Sequence, residues 1–155
     1  MTTPLRLDVR RRAGRGDAET ELSLNVPSVL EYVGPAVELI AERLSAGRPA
    51  PLSPRRIQFN FRTALAEALA NAIAYGNGHD PARLVRVLVQ VGRDAVRLYV
   101  TDEGGGFDPG AVPDPTLPDR LDREDGRGLF VLRKLVDEVV FNEKGNSVCL
   151  TLLAG

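Results

Sequence analysis

The feature that most constrains this chain is a run of three glycines behind an acidic pair, Asp102-Glu103-Gly104-Gly105-Gly106-Phe107. The run directly follows residues 96–101, an alternating apolar segment that predicts a β-strand. Glycine loses more backbone entropy on folding than any other residue, so three in succession indicate a backbone that turns sharply or approaches a ligand closely. Asp102 would then place a hydrogen-bond acceptor at the end of a strand. A simple turn leaving the strand is the alternative interpretation.

The composition is that of an ordinary globular protein. With 155 residues, 43% of them hydrophobic and 26% charged, the chain is expected to form one main domain. Its 20 basic and 21 acidic residues give a formal net charge of −1, which does not favour nucleic acid or a membrane surface as a partner. The single cysteine, Cys149, excludes an internal disulfide. No apolar run approaches the roughly 18 residues of a spanning helix and no export signal is recognisable, so we expect a cytoplasmic protein.

Hydrophobic periodicity predicts strands in hairpins together with three helices. Alternation predicts strands over residues 19–26, 84–91, 96–101, 139–141 and 147–153, and helical spacing predicts helices over 28–46, 53–75 and 126–136. Strands that follow one another in sequence, instead of alternating one for one with helices, favour an α/β (α+β) fold. We expect a two-layer sandwich, with a mixed, mostly antiparallel sheet and the helices on one face.

Two segments lie outside these elements. Residues 1–18 form a basic lead with the run Arg10-Arg11-Arg12, which we expect to be flexible. Residues 5–9 alternate, however, so an edge strand or a contact with a partner is the alternative. Residues 103–125 contain four prolines and many acids without an apolar face, as is typical of a functional or disordered loop. The domain is therefore expected to span residues 19–155.

Two polar residues on the second predicted helix are candidates for chemistry. Glu67 and Asn71 are four positions apart, so they lie on one face of the helix, one turn above the other. The amide oxygen of Asn71 is a hard ligand that suits Mg²⁺. The carboxylate of Glu67 could orient or deprotonate an attacking hydroxyl or water. The alternative is that both residues are simply solvated on a polar helix face.

A third candidate element is the start of the last predicted helix, Gly126-Arg127-Gly128-Leu129. Two glycines there expose free backbone N–H groups and the positive end of the helix dipole, an arrangement that binds phosphate. The guanidinium of Arg127 adds a delocalised cation. A plain helix entry would explain this motif by itself. In combination, the three motifs suggest one nucleotide site, in which Asp102 accepts from an exocyclic amine such as that of adenine.

These motifs also resemble a known family. Residues 67–77 are similar to the N box of the histidine-kinase/gyrase-type ATPase superfamily, residues 102–108 to its G1 box and residues 126–139 to its G2 box. The G2 segment and the Tyr75-Gly76-Asn77 ending of the N box resemble the branch of bacterial anti-sigma factor serine/threonine kinases. The resemblance covers roughly residues 19–153. One departure is Asp125, which stands where a glycine is usual ahead of the G2 motif.

The resemblance implies a Bergerat ATP-binding fold, with ATP held under a lid over residues 108–125 and Mg²⁺ bridging the phosphates. It implies that Glu67 is the catalytic base and that Asn71 binds the metal. It assigns the nucleotide to Asn71, Asp102, Gly104, Gly106, Gly126, Arg127 and Gly128.

The function implied by the resemblance is that of an ATP-binding anti-sigma regulatory factor with serine/threonine protein kinase activity towards an antagonist protein. Its partners would be ATP or ADP, a sigma factor or other regulatory protein, the antagonist and, by analogy, a second copy of the chain. The alternative is a non-catalytic, nucleotide-dependent interaction module that binds or activates a regulatory partner.

Overall fold

Six strands form one sheet in the computed structural model, which describes residues 5–13, 18–47, 51–104 and 131–155. The strands are β1 (Asp8–Ala13), β2 (Ala18–Pro27), β3 (Leu84–Val91), β4 (Ala95–Thr101), β5 (Glu138–Phe141) and β6 (Ser147–Leu153). Their order across the sheet is β1-β2-β3-β4-β6-β5, and each of these described pairs is antiparallel.

The helices precede and follow these hairpins. A 3₁₀ turn (Leu30–Tyr32) leads into α1 (Val33–Ala46). A second, continuous helix, α2, consists of α-helical Pro54–Arg56, π-helical Ile57–Phe61, α-helical Arg62–Asn71 and π-helical Ala72–Gly76. Residues 131–135 are also helical, and the first part of the helix predicted over 126–136 lies outside the described residues.

One face of the sheet packs on the helices to form the core. The strands contribute every second side chain: Leu22, Leu24, Val26, Val85, Val87, Val89, Val96, Leu98, Val100, Val148, Leu150 and Leu152. The apolar positions of α2 that recur at helical spacing complete the core: Ile57, Phe61, Leu65, Ala68, Leu69 and Ala72. The period of two in the strands and the helical spacing in α2 therefore meet in a single apolar layer, which confirms the expected α+β sandwich.

The N-terminal lead is not a flexible segment over residues 8–13, where our expectation was wrong. These residues form β1, which pairs with β2 from Asp8 opposite Ser23 to Ala13 opposite Ala18. The physical reason is twofold: Leu5 and Leu7 pack against the core, and the pairing satisfies the strand's backbone groups. The alternative of an edge strand was the correct one.

The first helix also begins later than predicted. Ser28 was expected to open it, but the serine is fully buried and its hydroxyl donates to the carbonyl of Arg83 at 2.8 Å. A hydroxyl engaged with a distant strand entry is not available to cap a helix. The chain consequently passes through the 3₁₀ turn before α1 begins.

Candidate nucleotide site

The face of α2 that carries Glu67 and Asn71 is polar and half-buried beside the apolar core positions. Both residues lie in the α-helical segment Arg62–Asn71, so their spacing of four places the two side chains one turn apart on a common face. Neither side chain has a hydrogen-bond partner within the residues that the structure describes. The carboxylate and the amide therefore remain available to a ligand.

The end of α2 widens into a π-turn directly after Asn71. The N–H of Asn77 donates to the carbonyl of Ala72 at 2.9 Å, an i→i+5 bond. Such turns hold one more residue than an α-turn and occur often at functional sites. The π-turn ends the helix at Gly76.

Gly76 is the point at which this helix meets the strand-end motif. A Cβ atom at position 76 would lie 2.2 Å from Oδ2 of Asp102, and a Cβ at Gly104 would lie 2.0 Å from the carbonyl oxygen of Gly76. Neither distance allows a side chain, so glycine is required at both positions. This contact brings Asp102 and Gly104 against the C-terminal end of the helix that carries Glu67 and Asn71.

Asp102 follows β4, and its half-buried carboxylate accepts a hydrogen bond through one of its two oxygens. Its Oδ1 accepts from the N–H of Gly104 at 2.8 Å, whereas Oδ2 has no hydrogen-bond partner among the described residues. Burial raises the pKa of the carboxyl, opposed by the Gly104 N–H and by the charges of Lys144 and Arg83. A carboxylate kept partly out of water, with one open acceptor oxygen, fits an exocyclic amine as its missing donor.

Asn77 organises the site, and sequence reasoning assigned it no role. It is 3% exposed, its amide nitrogen donates to Ser28 Oγ at 2.9 Å and to the carbonyl of Leu84 at 3.1 Å, and its oxygen accepts from the N–H of Glu103 at 2.8 Å. The carboxylate of Glu103 in turn accepts from the N–H of Leu84. Asn77 thus ties the end of α2 to the loop after β4. The available signal was a polar residue directly after a glycine-ended helix.

The turn between β5 and β6 holds the other side of Asp102, and this contact was also not predicted. The backbone N–H of Asp102 donates to the carbonyl of Asn146 at 2.9 Å, and the Asn146 side chain donates back to the carbonyl of Asp102 at 3.0 Å. Asn146 is itself fixed by Asn142, whose side chain bonds it at 2.8 Å. Both the N–H and the carbonyl of Asp102 are therefore held by hydrogen bonds to Asn146.

The structure describes half of the predicted site. Glu67 and Asn71 share a face of α2, and Asp102 and Gly104 contact the end of the same helix at Gly76. The remaining predicted residues, Gly106, Gly126, Arg127, Gly128 and the lid over 108–125, lie outside the described residues. Within the described part of the chain, no group of three or more His, Cys, Asp or Glu side chains could hold a metal ion. No helix among those same residues is long and apolar enough to cross a bilayer.

Comparison with known proteins identifies the family of the chain. A family profile described as the histidine kinase-like ATPase domain matches residues 26–152, from the end of β2 to β6. The chain is 34% identical over 89 residues to the anti-sigma F factor of Geobacillus thermodenitrificans (strain NG80-2), covering 56% of this chain and 60% of the relative. It is 32% identical over 89 residues to the anti-sigma F factor of Geobacillus stearothermophilus, with the same coverage.

A second group of relatives carries a kinase name. The chain is 26% identical over 98 residues to the serine-protein kinase RsbW of Staphylococcus aureus (strain JH9), covering 58% of this chain and 62% of the relative. The chain thus spans about three fifths of the length of the curated relatives it matches. The family profile covers most of the chain and includes both described motifs of the site, and it confirms the expected ATPase fold. The chain belongs to the histidine kinase-like ATPase family.

Proposed function

We propose that this protein is an ATP-binding anti-sigma regulatory factor that phosphorylates a serine or threonine of an antagonist protein. The main support is the contact of Gly76 with Asp102, which puts an acceptor oxygen without a described partner against the end of the helix that carries Asn71 and Glu67. The relatives named as anti-sigma F factors and as serine-protein kinase support the same assignment. A sigma factor would be the second partner, and the protein would act in the cytoplasm.

In the proposed phosphoryl transfer, Asp102, Asn71 and Glu67 each have a separate role. Asp102 Oδ2 accepts from the adenine amine, and the absence of side chains at Gly76 and Gly104 allows the strand end to pack closely on the helix end beside it. Asn71 contributes its amide oxygen to Mg²⁺. Glu67 orients the acceptor hydroxyl and takes its proton. Bound ATP with Mg²⁺ supplies the transferable phosphoryl group, so the protein's contribution is positioning and electrostatic stabilisation.

Nucleotide binding is tested by calorimetry with ATP, ADP and GTP, with and without Mg²⁺. We expect ATP and ADP to bind and GTP to bind weakly or not at all, because guanine presents an oxygen where Asp102 requires a donor. Asn71→Ala should lower the affinity for ATP only when Mg²⁺ is present. Absence of heat with both adenine nucleotides would refute the proposal.

Kinase activity is tested separately, with labelled ATP and candidate antagonist proteins. Wild type should transfer the phosphoryl group to a serine or threonine, and Glu67→Gln should bind ATP normally while transferring it at least about a hundredfold more slowly. ATP binding without any transfer would instead favour the non-catalytic interaction module. Transfer that is undiminished in Glu67→Gln would show that Glu67 is not the base.

A further inference from the structure

The face of the sheet opposite the helices has a groove with a volume of about 560 Å³. Strands β1 and β3 form its walls and β2 its floor. In the register of the sheet, Asp8 of β1 lies opposite Ser23 of β2, which lies opposite Leu88 of β3. Ser23 and Asn25 of β2 line the bottom of the groove, and their side chains are short. The walls are two strand spacings apart, about 9.6 Å, which leaves room for a single extended chain.

Three arginines line this groove without partners. Arg6 and Arg10 precede or belong to β1, and Arg86 lies on β3. All three are exposed, and none makes a hydrogen bond or ion pair within the residues that the structure describes. Arg6 and Arg10 are four positions apart, about 13–14 Å along an extended strand. Asp8 lies between them, so the charges along this wall alternate, and Glu21 of β2 lies opposite Arg10 in the register of the sheet.

The groove is separate from the nucleotide site. The site lies on the helix side of the sheet, whereas the groove lies on the other side. β1 and nearly all of β2 also precede residues 26–152, the region that the family profile matches. The groove wall that carries Arg6 and Arg10 therefore lies outside the region that the family profile matches.

We propose that this groove binds an extended, acidic segment of a partner protein. The segment would carry two acidic side chains four positions apart, facing Arg6 and Arg10, with a basic or neutral residue between them opposite Asp8. Arg86 on the opposite wall would pair with one of the same carboxylates. Alternate side chains of an extended chain repeat every 6–7 Å, so the spacing of the two acids matches that of the two arginines.

The charges disfavour two other occupants. A second copy of β1 would bring Arg6 and Arg10 against the same arginines, with Asp8 as the acid between them. A nucleic acid presents a uniform row of phosphates, and the carboxylates of Asp8 and Glu21 in the groove would repel it. A peptide with alternating charge avoids both conflicts.

The test uses the full chain and a fluorescent peptide with the core Thr-Glu-Thr-Lys-Thr-Glu-Thr. A peptide with its charges exchanged, Thr-Lys-Thr-Glu-Thr-Lys-Thr, and a single-stranded oligothymidylate serve as competing probes. The protein variant is Arg6→Glu combined with Arg86→Glu. The matched control is Arg97→Glu, an exposed arginine on the same face of the sheet but on β4, outside the groove.

We expect the acidic peptide to bind wild type and Arg97→Glu equally, and to bind the double variant at least roughly tenfold more weakly. The affinity should fall as salt rises. ATP affinity should be the same in all three proteins, which shows that each is folded and that the proposed nucleotide site is intact. A failure of ATP binding in every protein would concern the proposed function alone.

Three results would overturn the proposal. One is equal binding of the acidic peptide and the charge-exchanged peptide to wild type. Another is tighter binding of the oligothymidylate, which would identify a nucleic-acid surface. The last is a wild-type dimer that the double variant converts to a monomer in sedimentation, which would identify the second copy as the occupant.

Discussion

The ionised carboxylate of Asp102 destabilises the free protein, and in the complex it would accept a hydrogen bond from the nucleotide. Burial raises its pKa, so its stabilising contribution is present below the unfolded pKa of about 3.9 and is lost as the pH rises through the folded pKa. At neutral pH the ionised group is held partly out of water with Oδ2 unpaired. The adenine amine would supply the missing hydrogen bond, so the position favours binding over stability.

Asp102→Asn should separate these two effects. We expect ATP affinity to fall roughly ten- to a hundredfold, the value of a hydrogen bond to a charged group. At pH 7 the free variant should be at least as stable as wild type, and this difference should shrink as the pH falls towards 4. Calorimetry and urea unfolding at several pH values measure both. A variant clearly less stable than wild type at pH 7 would contradict the assigned cause of the pKa shift.

Gly76 tests the contact between helix and strand end. In Gly76→Ala the new Cβ would lie 2.2 Å from Asp102 Oδ2, so the carboxylate or the helix end must move. We expect a loss of about 1–3 kcal/mol of stability and a drop in ATP affinity of roughly tenfold or more.

The matched control is Gly34→Ala, because nothing lies within 4 Å of a Cβ at that helical position. It should be neutral or stabilising by about 0.5 kcal/mol, with ATP affinity unchanged. If the two alanine variants bind ATP alike, the close packing at Gly76 is not needed by the site.

At the scale of elements, Asn77 is the junction that holds α2, the entry to β3 and the loop after β4 together. Asn77→Ala would leave the N–H of Glu103 and the carbonyl of Leu84 without their Asn77 partner, in part-buried hydrogen bonds. We expect a loss of about 2–3 kcal/mol of stability and weaker ATP binding, because Asp102 precedes the released segment. Chemical denaturation and calorimetry measure the two effects.

Ser28→Ala is the variant to compare with it. It removes one acceptor of Asn77 but leaves the bond to Glu103 intact. Stability should therefore fall while ATP affinity stays near that of wild type. An equal loss of affinity in both variants would mean that general destabilisation, and not the position of the Glu103 backbone, is responsible.

The elements themselves followed from local patterns, whereas the junctions between them did not. Alternation predicted β3 and β6 well, since a period of two is a property of neighbouring residues. The π-turn at the end of α2 and the bonds of Asn77 depend on packing against Glu103, 26 positions away. Spacing within a helix contains no information about such a contact. The three glycines signalled a close approach, but not that Gly76 is what Gly104 approaches.

Across the whole molecule, the C-terminal end of the chain is joined to the start of α2. The N–H of Ser53 donates to the carbonyl of Gly155 at 2.9 Å, and the N–H of Gly155 donates to the carbonyl of Pro51 at 3.1 Å. Asp137, just before β5, accepts from the N–H of Leu153 at 2.8 Å and from the guanidinium of Arg56 at 3.1 Å. These contacts connect the helix layer to the end of β6, so the two layers should unfold together.

Asp137→Asn tests this connection through its pH dependence. The hydrogen bond from Leu153 and the charge of Arg56 lower the pKa of Asp137, so its contribution is present above the unfolded pKa of about 3.9 and is lost as the pH falls through the folded pKa. The side chain is 41% exposed, which limits the effect to roughly 0.5–1 kcal/mol at pH 7. In urea unfolding the variant should therefore be less stable than wild type at pH 7, and the difference should shrink as the pH falls below about 3.9. Asp94→Asn is the control, since the Asp94 side chain has no hydrogen bond or ion pair among the described residues. If the difference in unfolding free energy between Asp137→Asn and wild type does not change with pH, the charge of Asp137 is not what joins the layers.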